Sequence, residues 1–252
     1  MKTKVSLMYH DVVQLSNNES GFDTLGANYY KVSFRNFENQ IGALAELISK
    51  GIIKQDDVVL TFDDGGKSFL YNIVPIIEKY GFIGHFYIAT DYIGTPAFLD
   101  ESELLELSNR GHIIGAHSSS HPENIQLLSE EEQMEEWLNS ISKLESIIGK
   151  RITEVSIPNG YFLVSNIKCF TTLGIHTIYT SDLSDQYTVA GIDIIGRVAI
   201  NHNTTHMDVV KILTNRYYRI LIRLQLRLIK FAKYVLGNNY IKIKKKIRYV
   251  FR

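Results

Sequence analysis

The sequence predicts an α/β fold: a (β/α) barrel of about seven parallel strands, followed by a basic amphipathic helix. Three observations carry that prediction. Short runs rich in β-branched and aromatic residues alternate with amphipathic helical patterns, as a parallel sheet with crossover helices requires. The chain has 252 residues, 45% of them hydrophobic, with 4 prolines, which suits one large domain or two small ones with a real core. Acidic and basic side chains collect where the strands end, the face on which such barrels build their sites.

The elements follow in order. Val5 to His10 is a buried strand, with Val5, Leu7 and Tyr9 on one face and Ser6, Met8 and His10 on the other. It is too short for the apolar core of a signal peptide, so the expected location is cytoplasmic. A polar loop, Ser16 to Asn28, is long enough to cover a site. Ser33 caps a helix that stops at Gly51. V-V-L-T-F (58–62) is a strand, and a helix follows to Tyr80, kinked or restarted at Pro75. F-I-G-H-F-Y-I (82–88) is a strand and Glu101–Asn109 a helix. H-I-I-G-A (112–116) is a strand, and S-E-E-E opens a long helix over Ser129–Ile148 as a capping box does. V-S-I-P (155–158), H-T-I-Y-T (176–180) and D-I-I-G-R-V-A-I (193–200) are the remaining strands, with a helix over Val164–Leu173.

Composition sets limits. The one cysteine, Cys169, allows no intrachain disulfide and reads as a small buried thiol. No apolar run reaches the ~18 residues of a membrane span. The net charge of zero conceals an asymmetry: Val209 to Arg252 holds 13 Lys or Arg and no acid, and the 208 residues before it hold 14 basic and 27 acidic ones. That composition shift divides the chain into 1–208 and 209–252. The acidic body repels phosphates, which argues against nucleic acid.

The strand ends carry His10-Asp11, Asp63-Asp64, His117 with His121, Pro158-Asn159-Gly160, and Asp182. Adjacent carboxylates leaving a strand point apart, so one binds a cation and the other stays free as a base. Two histidines four apart, in H-S-S-S-H followed by Pro122, share one metal from a compact loop. Asp64, His117 and His121 together make a 2-His-1-carboxylate set with open positions. Zn fits it, as do Fe, Co and Ni. His85, His112 and His176 read as core or rim histidines.

T-F-D-D-G (61–65), H-S-S-S-H (117–121) and S-I-P-N-G (156–160) resemble, in order and spacing, the first three motifs of the polysaccharide deacetylases, the NodB-homology or carbohydrate esterase family 4. Pro75–Gly81 and Gly111–His117 agree with the flanking phrases, and the resemblance covers residues 4 to 200. It implies a distorted, incomplete (β/α) barrel and a metal-dependent hydrolase acting on the N-acetyl amide of an amino sugar. Asp63 takes the place of the general base, and Asp64, His117 and His121 that of the metal ligands. The backbone N–H of Asn159 takes that of an oxyanion donor. The family's late L-x-H motif, which supplies the general acid, has no convincing match; His202 and His206 are the late candidates. L-M-Y-H-D (7–11) resembles that motif moved to the front, as in circularly permuted exopolysaccharide deacetylases, which implies His10 as the acid.

The departures are specific. Many members have Arg at the position of Ser156, where it pairs with the base; Arg197 is the nearby substitute. The aromatic that often stands at Asn159, and the Trp beside Asp182, are missing. Two alternatives follow: a carbohydrate-binding scaffold on an impaired barrel, or a deformylase or O-deacetylase of a lipid-linked sugar. In the tail, Arg216, Arg219, Arg223, Arg227, Lys230 and Lys233 form one helical stripe, with Ile220, Leu221, Leu224, Leu228 and Phe231 between them. Gly237 breaks it, and a basic run follows. Such a helix either docks on an anionic membrane or packs on the barrel. The expected partners are thus an amino-sugar glycan or lipid-linked sugar, and an anionic membrane.

Overall fold

A computed structural model describes residues 4–160, 162, 164–183 and 186–236, leaving aside the side chains of 229–236. Seven parallel strands form the barrel: β1 (Val5–Tyr9), β2 (Val58–Phe62), β3 (Gly84–Ile88), β4 (Ile113–Ala116), β5 (Glu154–Ser156), β6 (Thr177–Thr180) and β7 (Ile192–Ala199). Each pairs with the next, and β1 also pairs with β7, in register Ser6–Arg197. The barrel is incomplete in having seven strands where a full (β/α) barrel has eight, yet its ring closes. A short strand, Tyr187–Val189, pairs antiparallel with β7.

Alternation along the strands sorts the side chains into two layers. Tyr9, Phe62 and Phe86 stack in sequence, Tyr9 on Phe62 at 5.6 Å and Phe62 on Phe86 at 4.9 Å, and Tyr9 meets Phe37 of the first long helix edge-on at 5.2 Å. The other face of the ring carries polar and aromatic side chains, among them Thr61, Tyr87, Tyr179 and Arg197. Tyr87 donates to Glu154, and Arg197 lies 5.8 Å over the rings of both Tyr87 and Tyr179.

Among the described residues the helices are α1 (Leu25–Tyr30), α2 (Phe34–Ser49), α3 (Val74–Lys79), α4 (Glu101–Asn109), α5 (Glu130–Ile148), α6 (Ile167–Thr172), α7 (His206–Thr214) and α8 (Arg216–Leu236). α2 buries Phe37, Ile41, Leu44 and Leu47, an i, i+4, i+7, i+10 stripe. Burying each such side chain is worth roughly 1.5–3 kcal/mol. α5 starts on Ser129, whose Oγ accepts from the Glu132 N–H while Glu132 reaches back, and Gly149 ends it in the left-handed region. Pro75 lies in the first turn of α3, which restarts the chain after a π-type turn over Phe69–Ile73.

Two expectations need correction. The polar loop is not irregular throughout: Thr24 caps α1 there, accepting from the Ala27 N–H. Val12–Val13 and Val32–Ser33 bracket this segment as a parallel pair. The helix expected over Val164–Leu173 is a single 3-10 turn, Val164–Asn166, followed by α6. The chain divides into two compact units, Met1–Val210 and Lys211–Arg252. Of the tail, residues 209–236 are described, covering the end of α7 and all of α8; Gly237 and the basic run to Arg252 lie outside the described residues.

Candidate active site

The carboxyl ends of β1, β2, β4 and β5 deliver His10, Asp63-Asp64, His117 and Ser156 to one place, and β7 adds Arg197 from within the barrel. Backbone pairing continues past the strands and fixes these exits: Asp63 N–H bonds to Tyr9 O at 3.0 Å, and His117 N–H to Ile88 O at 2.9 Å. Gly66 lets the turn after Asp64 pass close to Asp11, whose Oδ1 is 2.0 Å from where a Cβ would stand.

Asp64 Oδ1 lies 3.4 Å from His117 Nε2 and 3.5 Å from His121 Nε2, and the three atoms fall within 4.8 Å of one another. These separations are long for hydrogen bonds. They match ligand atoms around a tetrahedral ion, which stand about 3.3 Å apart when each is ~2.0–2.1 Å from the metal. The ring orientation agrees. His117 Nδ1 faces the Ser156 carbonyl at 2.8 Å, and a carbonyl only accepts, so Nδ1 carries a proton and Nε2 is the nitrogen that faces the cluster. Burial lowers this imidazole, but Asp63 and Asp64 override it and raise it above its ordinary value, and a cation bound there would take the place of the Nε2 proton. Burial, then the neighbouring His117, pushes the His121 imidazole down to about 4, so it is neutral near pH 7. Asp64 Oδ1 and the two imidazole Nε2 atoms therefore converge at one point, and a divalent cation fits between them.

Asp63 faces a different partner. Arg197 holds it with two N–H···O bonds, Nη1 to Oδ1 at 2.7 Å and Nη2 to Oδ2 at 2.6 Å, and both side chains are buried. Burial alone would raise this carboxyl; the charge of Arg197 and then of His117 overrides it and holds Asp63 below its usual range. Arg197 also donates to Ser156 Oγ at 2.8 Å, Thr61 Oγ1 at 3.1 Å and the Thr180 carbonyl at 3.3 Å, and Ser156 Oγ donates to Asp63 at 3.0 Å. The serine at the position where many relatives carry Arg thus completes a network whose guanidinium comes from β7.

His10 stacks face to face on Tyr30 of α1 at 4.8 Å and lies within electrostatic reach of both Asp63 and Asp64. Its sequence neighbour Asp11 turns away, accepting from Ser20 Oγ at 2.5 Å and Ser68 Oγ at 2.8 Å. That carboxylate binds the covering loop to the segment after Asp64 and takes no part with His10. Phe22 from the same loop packs 5.1 Å from His121, beside Tyr92 and Phe98. Asn159 sits in the left-handed region at φ 55° behind buried Pro158, with its side chain exposed. His202 lies off the metal cluster, exposed and bonded to the Tyr29 carbonyl at 2.9 Å, and Asp182 is exposed. His85 pairs with Glu154, and His112 accepts from the Gly84 N–H, so both are committed to the barrel framework. Sequence reasoning passed over Tyr30. Its one signal was the aromatic pair N-Y-Y closing a polar loop.

A closed parallel barrel thus gathers at its carboxyl end a His-His-Asp cluster that could hold a cation and, beside it, an Arg-paired carboxylate. The sequence model of the polysaccharide deacetylases matches residues 50–178, and the chain belongs to that family. The Bacillus subtilis protein YxkH, assigned by name to the polysaccharide deacetylases, is 24% identical over 144 residues, covering 57% of this chain and 51% of that protein. The peptidoglycan-N-acetylmuramic acid deacetylase PdaA of the same organism is 27% identical over 135 residues, covering 52% and 49%. The chain spans about half the length of these curated relatives. Among solved structures, the Streptococcus pyogenes deacetylase PplD in complex with acetate superposes with a TM-score of 0.67 at 19% identity, over 83% of this chain and 97% of that one. IcaB from Ammonifex degensii superposes at 0.66 and 18% identity, over 85% and 98%. At these identities the likeness is one of fold.

Proposed function

We propose that this chain is a metal-dependent deacetylase that hydrolyses the N-acetyl amide of an amino sugar in a polysaccharide or surface-glycan intermediate. The observation that carries the proposal is the pairing of three converging ligand atoms with an ionised, Arg-held carboxylate beside them. Asp64, His117 and His121 would hold the ion, and the donor set suits Zn best, with Fe, Co and Ni as lesser fits. The chemistry it would supply there is polarisation of the acetyl carbonyl and a lowered pKa of water. Asp63 takes the proton of the attacking water. Arg197 keeps that carboxylate deprotonated near neutral pH and fixes both of its oxygens. The Asn159 N–H donates to the carbonyl oxygen as it gains charge. His10 gives a proton to the nitrogen as the C–N bond breaks, and acetate and a free amine leave. Tyr30 restricts the His10 ring by covering one face.

The scaffold alternative rested on Ser156 in place of Arg. With the guanidinium supplied by Arg197, no observation favours it. The test is elemental analysis of protein purified without chelator, together with acetate and formate release from N-acetyl, N-formyl and O-acetyl amino sugars, free and lipid-linked. Wild-type protein should hold about one divalent ion per chain and His117→Ala should hold none. Absence of metal from replete wild-type protein refutes the reading, and formate release in place of acetate moves it to a deformylase.

The same proposal gives the tail a partner. α8 spaces Arg216, Arg219, Arg223 and Arg227 along a helix that exposes Tyr217, Leu221, Leu224 and Leu228, and no described helix is long and apolar enough to cross a membrane. This supports docking on an anionic membrane at its inner face, where each cation contributes ~1 kcal/mol, screened by salt, and apolar insertion adds to it. Co-sedimentation with anionic vesicles should weaken but persist at high salt, and Leu224→Glu with Leu228→Glu should abolish it. A full chain that ignores anionic vesicles at low salt refutes the docking.

A further inference from the structure

Both imidazoles of the cluster come from one five-residue loop, His117 to His121. Its backbone is left-handed at Ser118 (φ 62°) and at His121 (φ 54°), conformations that non-glycine residues hold only when their surroundings impose them. The imposing element is α5. Glu136 Oε2 accepts from the backbone N–H groups of Ser119 and Ser120, both at 2.9 Å, and its Oε1 accepts from Ser120 Oγ at 2.7 Å. Ser119 Oγ donates to the Glu136 carbonyl at 3.1 Å. One turn on, Ser140 Oγ donates to the Ser118 carbonyl at 3.0 Å. One turn further, Lys143 Nζ donates to the Thr90 carbonyl at 2.8 Å, and the Thr90 N–H bonds to the Ser118 carbonyl at 3.2 Å. Glu136, Ser140 and Lys143 are spaced i, i+4, i+7 and form one polar stripe beside the buried Trp137, Ile141 and Leu144.

We propose that Glu136 is a positioning residue for the metal ligands: its carboxylate sets the loop so that the imidazoles of His117 and His121 converge before any ion arrives. The inference rests on the metal reading above and deepens it. Two consecutive N–H groups aimed at one oxygen need an acceptor with spare lone pairs, and an ionised carboxylate makes such bonds short and strong. Without it the N–H groups turn to water, the left-handed residues lose their restraint, and binding an ion must also reorder the loop. Partners that orient ligands in this way are worth about 10–100-fold in metal affinity.

The test is titration of the metal-stripped full chain with Zn²⁺ and Co²⁺, with thermal melts of each metal-free form. Glu136→Ala should weaken affinity about 10–100-fold while the metal-free protein melts close to wild type. Glu136→Gln keeps an oxygen for the two N–H groups, so its affinity should lie between the two. Wild-type affinity in Glu136→Ala overturns the inference while leaving the metal reading intact. Should Glu136→Ala fail to fold, wild-type affinity in both Glu136→Gln and Ser140→Ala overturns it. A wild-type chain that takes up neither ion overturns the metal reading and this inference together.

Discussion

Replacing Arg197 by Met tests the physics of the site most directly. Arg197 is 1% exposed, and its guanidinium makes two bonds to the carboxylate of Asp63, a residue 3% exposed. Met fills much of the same volume but leaves Asp63 buried with no counter-charge. Removing one partner of a buried pair costs about 3–5 kcal/mol, because the remaining charge is uncompensated. For a unit of this size, each kcal/mol moves the midpoint by about 2–4 °C, so the melting temperature should fall by about 6–20 °C. The sign of the pH effect follows from the pair. In the wild type Asp63 is held below its unfolded value, so its contribution is present above about pH 4 and is lost as pH falls through the folded value. Without Arg197, burial wins and the carboxyl rises, so the acid limb of the activity profile should move to higher pH. Asp63→Asn should then restore most of the stability lost in Arg197→Met, since no buried charge remains. The assay is a double-mutant cycle by thermal and urea unfolding, with pH–rate profiles of the single variants. An Arg197→Met protein that melts like wild type, or a double variant no more stable than Arg197→Met, would refute the argument.

His10→Ala should lower kcat by about 10²–10⁴ with metal content unchanged. Equal rates for the variant and wild type on an amide substrate would return the acid to His202, His206 or water. Cys169 is half-buried, and burial pushes its thiol up to about 11, so iodoacetamide near pH 8 should modify it about a hundredfold more slowly in the native protein than in urea. Comparable rates in the two states would show that the thiol is not held in this way.

Much of the fold is local in origin and was legible in the residues. Val58–Phe62 and Ile192–Ala199 declare themselves through β-branched content, and Ser129 with Glu132 marks a helix start from four consecutive residues. The three residues that cluster at the candidate cation site were legible for a similar reason. His117 and His121 are close in sequence, and Asp64 leaves its strand beside a second carboxylate, so chemistry and spacing sufficed. α1 was missed because a single turn and a half, capped by Thr24 in a polar segment, has too few apolar positions to show a period.

What the sequence by itself determined is the inventory and its order: the strands, the helices between them, and the chemical types at the strand ends. The tertiary structure decided which of these meet. Arg197 and Asp63 stand 134 residues apart, and closure of β1 on β7 brings the guanidinium to the carboxylate. Tyr30 reaches His10 because the covering loop folds back through α1. Glu136 reaches the ligand loop because α5 turns that polar stripe toward it. Local patterns fix backbone conformation, since neighbouring residues share torsions and hydrogen bonds. A contact between distant side chains depends on how the whole ring of strands closes, and no short stretch of sequence encodes that.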